Sequence, residues 1–515
     1  MNSSMEIVNT TNIEPDYILA QDSVTLTVYP RIHMFTFDLS LISGVLRHGS
    51  LGYSLKNMPI TITVEDNSEF HKDEIISTNQ LKMNELDFKV NFEKLRKYIG
   101  STDYYKVKID KNVYARAHSG LGLSTQILGA IYLSCAKLSK RSLNKTDLFK
   151  LGLGHYSALG LSLLFTPGMI FEMGVKESNE THGLVIEPSL SEKYEIPANT
   201  IFKVNEFPFY TTVVIPKESV SISGIYEIDF WNKSLPDSDL DSYKTIYNIF
   251  ENIIPSIVEG DFKVFTNNLN ENIKRGSKPL EEKVQSDRAK EVLQTLRDKF
   301  DFAAVSSLGP SLYAFSENDP TDVVSNLEIN DYMILVYGPD GTIKQKIGKD
   351  ESLLIASFAC LGKTTFTNKY PDLAVDIESI HYARKYMSKD LNDEVAKGDD
   401  NWKPNPEYPA NYIKDVVDNI GNRKVIFLTT AVDALSELDR LNIRYSILYP
   451  GKNRRDQVLS DARKRGNNDT FVALLDSLLS TDAHRKSFKD LNANKFVLID
   501  DDQYIERYIK ENYIL

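Results

Sequence analysis

The sequence predicts an α/β protein built from two modules, and three observations carry that prediction. Strand-like alternation begins at Val24-Thr25-Leu26-Thr27-Val28 and opens a mixed α+β region. From Leu353 onward the order becomes strand, glycine loop, helix, then alternating helices and strands, which is the pattern of a parallel sheet. At 515 residues the chain also exceeds what one ordinary core fills.

Each element follows from local pattern. Residues 1–22 read as a flexible leader, polar and without the basic-then-apolar layout of a signal peptide. In Leu123 to Leu138 the apolar residues Ile127, Leu128, Ile131, Tyr132, Cys135 and Leu138 recur at helical spacing and predict a helix with one buried face. Strands are expected at Tyr210 to Ile215 and Gly224 to Phe230, and helices at Ser242 to Val258 and Leu280 to Phe300. The first module thus spans 23–325. Residues 326–350 form a β-hairpin connector, with runs at Tyr332 to Tyr337 and Thr342 to Ile347 around the turn Gly338-Pro339-Asp340-Gly341. The second module spans 351–515, with strands at Leu353 to Ala356, Leu373 to Asp376, Lys424 to Leu428, Arg444 to Tyr449 and Lys495 to Ile499.

Composition bounds the function. With 42% hydrophobic and 26% charged residues the chain is globular. A formal charge of −12 argues against a protein built on nucleic-acid binding. The apolar stretch Leu159 to Met173 is short for a membrane span and is broken by Gly160, Pro167 and Gly168. Cys135 and Cys360 each lie in an apolar segment, which fits buried thiols in a reducing compartment better than a disulfide framework. The expected partners are small-molecule substrates, with no nucleic acid and no membrane, and the expected location is the cytoplasm. A homodimer is left open.

The second module opens on Phe358-Ala359-Cys360-Leu361-Gly362-Lys363-Thr364-Thr365, directly after a buried strand. The phosphate-loop pattern places a glycine, then four residues, then Gly-Lys-Thr, and here Ser357 holds the first glycine's position. The chemistry still operates: backbone N–H groups of residues 360–365 can cradle ATP phosphates, Lys363 adds a mobile charge, and Thr364 can ligate Mg²⁺. Asp376, at the end of the next strand, is a second metal candidate, with a helix N-cap as its structural alternative. Arg454, Arg455, Arg463 and Arg465 suit a lid over transferring phosphates, or else a solvated basic face. Lys363, Asp376, Arg455, Arg463 and Arg465 are the catalytic candidates. Together with Asp376-Ile377-Glu378-Ser379, Asn405-Pro406, Asn411-Tyr412-Ile413, Tyr449-Pro450 and Lys464-Arg465-Gly466-Asn467, the segment from about 350 to 515 resembles phage and bacterial P-loop proteins related to adenylate and deoxynucleotide kinases. That resemblance implies a three-layer parallel α/β kinase fold. The single Ser379 departs from the Ser-Ser doublet expected there.

Three glycine-containing stretches mark the first module: Arg116 to Gln126, Leu151 to Gly160, and Val305 to Ala314. The first opens a helix, where glycines permit close backbone approach and the N-terminus favours an anion such as pyrophosphate. With Arg31-Ile32-His33, Asp38-Leu39-Ser40, Arg47, Gly49 to Gly52, Gly224-Ile225-Tyr226-Glu227 and Glu259-Gly260-Asp261, these stretches resemble the GHMP kinase superfamily. Within it, the match is to the β-ribofuranosylaminobenzene 5′-phosphate synthases and C-nucleoside synthases, over residues 24–318. Two departures stand out: His155 and Tyr156 replace basic residues, and Leu123 replaces a small one.

The resemblance implies transfer of a phosphoribosyl group from phosphoribosyl pyrophosphate to an aromatic carboxylate, with loss of CO₂ and pyrophosphate. It places phosphoribosyl pyrophosphate, with Mg²⁺, on Ser119, Gly120, Leu121, Gly122, Ser124, Thr125, Gln126 and Ser157. Ser306, Ser307 and Gly309 take the 5′-phosphate. His33, Asp38 and Arg47 line the acceptor pocket. On residue type alone His33 reads equally as a satisfied core histidine, Asp38 as a turn cap and Arg47 as a surface ion-pair partner. The whole chain is thus expected to be a bifunctional synthase and ATP-dependent nucleotide kinase. The alternative is a GHMP-type small-molecule kinase fused to a P-loop nucleotide sensor.

Overall fold

The computed structural model describes residues 5–9, 14–37, 46–47, 49–77, 85–109, 119–154, 158–176, 200–204, 206–218, 230, 233, 238–386, 402–481, 483–500 and 504–515. It divides into two compact units, Met1–Ile343 and Lys344–Leu515.

The first unit is mixed α/β. In Ser23–Val28 the residues Val24, Leu26 and Val28 are buried and their neighbours half-buried, as period-two alternation requires. This strand pairs antiparallel with Tyr17–Ala20 and Ile60–Asp66, and the sheet continues through Tyr105–Ile109 to Glu74–Ser77. A second sheet orders Met5–Asn9, Thr200–Val204, Met169–Glu172, Gly49–Ser54 and Arg31–Phe37, all antiparallel. The strands Met5–Asn9 and Tyr17–Ala20 lie within the stretch read above as a leader. Each is short and finds its hydrogen bonds far away in sequence or across a two-residue turn, which local composition does not reveal. A third antiparallel sheet joins Phe302–Val305, Leu312–Ser316, Tyr210–Pro216 and Tyr332–Tyr337. The expected strand at Gly224 to Phe230 lies outside the described residues, save Phe230.

The helix Leu123–Leu138 has the expected bounds, but it is buried on nearly every side rather than on one face. Gly129 explains the difference: a Cβ there would sit 2.5 Å from Leu164 Cδ2, so glycine lets the Leu159–Phe165 helix close onto it. Each fully buried leucine or isoleucine of such a core contributes about 1.5–3 kcal/mol. The expected Ser242 to Val258 helix runs as Asp239–Asn248, a π-helical turn at Ile249–Ile253, and Ile254–Glu259. Leu280 to Phe300 forms two helices, Lys278–Lys283 and Asp287–Arg297, the second capped by Ser286 accepting from the Ala289 N–H.

The second unit is a five-stranded parallel sheet ordered Ala374–Asp376, Val425–Leu428, Leu353–Ser357, Ser446–Pro450, Lys495–Ile499. Its first strand in sequence is therefore central; the chain runs from it to one edge, then crosses back over it to build the other side. In open α/β sheets ligands bind at such a switch point, outside the carboxyl ends of the strands. A hydrophobic core including Ile355, Phe427, Leu448 and Ile505 surrounds the sheet. Both cysteines are free and buried, Cys135 in the first unit and Cys360 in the second. Among the described residues no helix is long and apolar enough to cross a membrane.

Candidate active sites

In the first unit the three glycine stretches converge. The loop at 119–122 is bonded to the loop at 306–311: Ser311 N–H donates to Ser119 O at 3.1 Å, and Ser306 Oγ donates to Gly120 O at 2.9 Å. An added Cβ at Gly120, where φ is +82°, would lie 2.5 Å from Ser306 O. The Arg31–Phe37 strand closes the third side. Arg31 N–H donates to Leu121 O at 2.8 Å, His33 N–H to Ser306 Oγ at 3.2 Å, and Ser307 N–H to His33 O at 3.3 Å. The helix from Leu123 joins the second stretch through Gln126 Nε2, which donates to Gly160 O at 2.6 Å, and through Thr125, packed against Gly160.

Within this convergence the side chains divide by role. Ser119 and Ser306 are buried, and Ser306 Oγ ties two loops together. Ser124, Thr125 and Ser307 are half-buried. Ser307 takes φ +54°, a left-handed conformation uncommon outside glycine. Gly309, at φ +72°, packs against the Gln285 amide, whose Nε2 donates to Leu308 O at 2.9 Å. Beneath this loop lies a buried ion pair: Lys278 Nζ stands 2.6 Å from Glu281 Oε2 and also donates to Val305 O at 3.1 Å. Sequence reading did not find this support, because Lys278 and Glu281 look like ordinary helix-surface charges.

His33 is buried, with Nε2 3.3 Å from both Ser50 Oγ and Thr36 Oγ1. Burial first, then the nearby Arg31 and Lys278 charges, pushes its pKa well below the ordinary histidine value, so the ring is neutral. Ser50 also hydrogen-bonds the buried Glu172 carboxyl, which accepts the Gly174 N–H at 2.9 Å. Burial pushes the Glu172 pKa up to about 7, against the opposing pull of Lys145. Lys145, itself buried, donates to Ser162 Oγ at 2.7 Å. Arg47 sits on a two-residue strand opposite Val175. Asp38 and Ser157 lie outside the described residues.

In the second unit the loop after Leu353–Ser357 turns through Cys360 at φ +62° and Gly362 at φ +100° into the helix Lys363–Lys369. Lys363 Nζ lies 3.3 Å from Ser357 O and 3.9 Å from Asp376 Oδ1, so the two catalytic candidates face each other at the carboxyl end of the sheet, across the intervening Val425–Leu428 strand. Thr364 and Thr365 are exposed. Leu361 O accepts from Ile505 N–H at 3.1 Å, and the Tyr504 ring lies over Gly362. Arg454 is 1% exposed, its guanidinium 4.5 Å from the centre of that ring. The expected lid arginines fare differently. Arg455 is bound to Asp476 at 2.5 Å, whereas Arg465 acts electrostatically on the Cys360 thiol of the loop. Arg463 is exposed in the last turn of the Arg455–Lys464 helix. Among the described residues no group of three or more His, Cys, Asp or Glu is placed to hold a metal ion.

No family model matches the chain. It is similar to the beta-ribofuranosylphenol 5′-phosphate synthase of Methanocaldococcus jannaschii, at 29% identity over 202 residues, 39% of this chain and 61% of that protein. The chain thus spans less than two thirds of that relative. It is also similar to the protein of the same name from Methanothermobacter thermautotrophicus, at 24% identity over 57% of this chain and 88% of that protein. The one from Archaeoglobus fulgidus is 24% identical over 58% of this chain and 89% of its own. Among solved structures, the Streptococcus pneumoniae phosphomevalonate kinase aligns with 59% of this chain and 94% of its own, at 13% identity and a TM-score of 0.42. The Methanococcus jannaschii mevalonate kinase aligns with 62% of this chain and 98% of its own, at 12% identity and a TM-score of 0.40.

Proposed function

We propose that the first unit joins phosphoribosyl pyrophosphate to an aromatic or heteroaromatic carboxylate and that the second phosphorylates a nucleotide-like substrate with ATP. The observation that carries the first half is the convergence of the 119–126 loop, the 306–311 loop and His33 on one another, in a chain whose relatives are named for making a ribofuranosylphenol 5′-phosphate.

In this reading the bond between the ribose anomeric carbon and pyrophosphate breaks, and pyrophosphate leaves with the electron pair. The ring carbon bearing the carboxylate forms the new C–C bond. Its C–CO₂ bond then breaks, restoring aromaticity and releasing CO₂. The helix N-terminus at Gly122–Thr125 receives the leaving anion, and Ser307 with the Gly309 backbone holds the 5′-phosphate. His33, neutral and buried, orients the acceptor with Asp38 and Arg47.

In the second unit the Cys360–Thr365 backbone and Lys363 hold the ATP phosphates, and Arg465 approaches from across the loop. The hydroxyl of Thr364 and the carboxylate of Asp376 are oxygen donors of the kind Mg²⁺ takes when most of its shell is water and phosphate. When bound, the metal neutralises charge on the transferring phosphoryl group. Lys363 would exchange its contact with Asp376 for the nucleotide.

The test is incubation of the full chain with phosphoribosyl pyrophosphate and a panel of aromatic acids. Pyrophosphate and CO₂ should appear in equal amounts. ATP turnover that survives Lys363→Ala but not Gly120→Ala would instead identify the first unit as a small-molecule kinase.

A further inference from the structure

The cluster around Glu172 lies outside every residue assigned above, yet it reaches His33 through one hydroxyl. The Glu172 carboxyl accepts the Gly174 N–H at 2.9 Å, and it also accepts the Leu159 N–H. Both are backbone donors with no alternative role. The ammonium of Lys145, on the Lys145–Lys150 helix, acts on the same carboxyl and favours its ionised form. A carboxylate so surrounded is an acceptor, so Ser50 must donate its single hydrogen to it. The lone pairs of Ser50 Oγ then face His33 Nε2 at 3.3 Å, and Nε2 must carry the ring proton to meet them. Thr36 Oγ1, 3.3 Å from the same nitrogen, fits as a second acceptor. On the other edge of the ring, Nδ1 is buried and has no hydrogen-bond partner among the described residues; the backbone of His33 itself favours the protonated ring, but less than burial and the two cations oppose it. The charged groups acting on the ring are Arg31 on its own strand and Lys278 from the helix beneath the 306–311 loop; both disfavour the doubly protonated form.

We propose that Glu172, acting through Ser50, is a positioning residue that fixes His33 as the Nε2–H tautomer and leaves Nδ1 as a neutral acceptor for a donor group of the bound ligand. The proposal rests on the reading of the first unit as a ligand site lined by His33. A histidine with one unpartnered nitrogen and a carboxylate behind the other is oriented twice over, in ring plane and in proton position. Without the carboxylate, Ser50 is free to reverse its hydroxyl, and both tautomers become accessible.

The experiment is ¹⁵N spectroscopy of the full chain labelled at histidine, recorded at about pH 8, where Glu172 is ionised. With 8 histidines in the chain, His33 is assigned by the signal missing from His33→Asn. The wild type should show a single tautomer with the proton on Nε2. Ser50→Ala should show a mixture, and Ser50→Thr, which keeps the hydroxyl, should restore the single form. A proton on Nδ1 in the wild type overturns the proposal whether or not any variant folds. An unchanged single tautomer in Ser50→Ala overturns it as well. Because the readout needs no turnover, a failure of the pyrophosphate assay would sink the proposed reaction and leave the tautomer result standing.

Discussion

At Gly120 a methyl group would meet two carbonyl oxygens, Ser306 O at 2.5 Å and Gly309 O at 2.8 Å, and neither belongs to a flexible side chain. Gly120→Ala is therefore expected to part the two loops and cost about 1–3 kcal/mol, read as a drop in the denaturant midpoint. Gly260 gives the control: its φ is +74° with nothing within 4 Å of an added Cβ, so Gly260→Ala should show only the backbone preference, about 1 kcal/mol. Glu172 predicts a pH dependence. Its pKa is raised to about 7 when folded and returns to the ordinary carboxylate range when unfolded, so the folded state binds the proton more tightly. Stability from this group is full below the unfolded pKa and declines as pH rises through 7, by on the order of 3 kcal/mol. Glu172→Gln should flatten that decline in melts recorded across pH 5 to 8. Little of this was legible in the sequence. Glu172 is one acid in the apolar run Met169 to Met173, and that isolation was the available signal. Its partners Ser50 and Lys145 are brought to it only by strand pairing and helix packing.

At the scale of elements, what sequence disclosed was whatever depends on local periodicity. The Leu123–Leu138 helix and the Lys495–Ile499 strand have the bounds that their apolar spacing predicts. The strands Met5–Asn9 and Tyr17–Ala20 were hidden because edge pairing, not composition, makes them. The arginine cluster was visible, but its division of labour was not: Arg454 is buried against Tyr504 and Arg455 is bound to Asp476. The Ile505–Asn512 helix straps the 358–365 loop, because Ile505 N–H bonds Leu361 O and Glu506 binds Lys369 and Lys510 at 2.7 Å each. These ion pairs are near the surface, so Glu506→Ala should cost under about 1 kcal/mol, measured by thermal melting. Tyr504→Ala, which removes the ring over Gly362, is expected to weaken ATP binding by calorimetry far more than it lowers stability.

For the whole molecule, two units have separate cores, and the proposed function assigns one activity to each. Lys363→Ala should abolish ATP turnover while leaving pyrophosphate release unchanged, and Gly120→Ala should do the reverse. The convergence of the glycine loops on His33 carries the synthase activity proposed for the first unit, and one assay addresses it directly. With phosphoribosyl pyrophosphate, Mg²⁺ and a panel of aromatic carboxylates, pyrophosphate and CO₂ are expected in a one-to-one ratio, dependent on Gly120 and indifferent to Lys363. A folded protein that releases neither with any acid of the panel would contradict it.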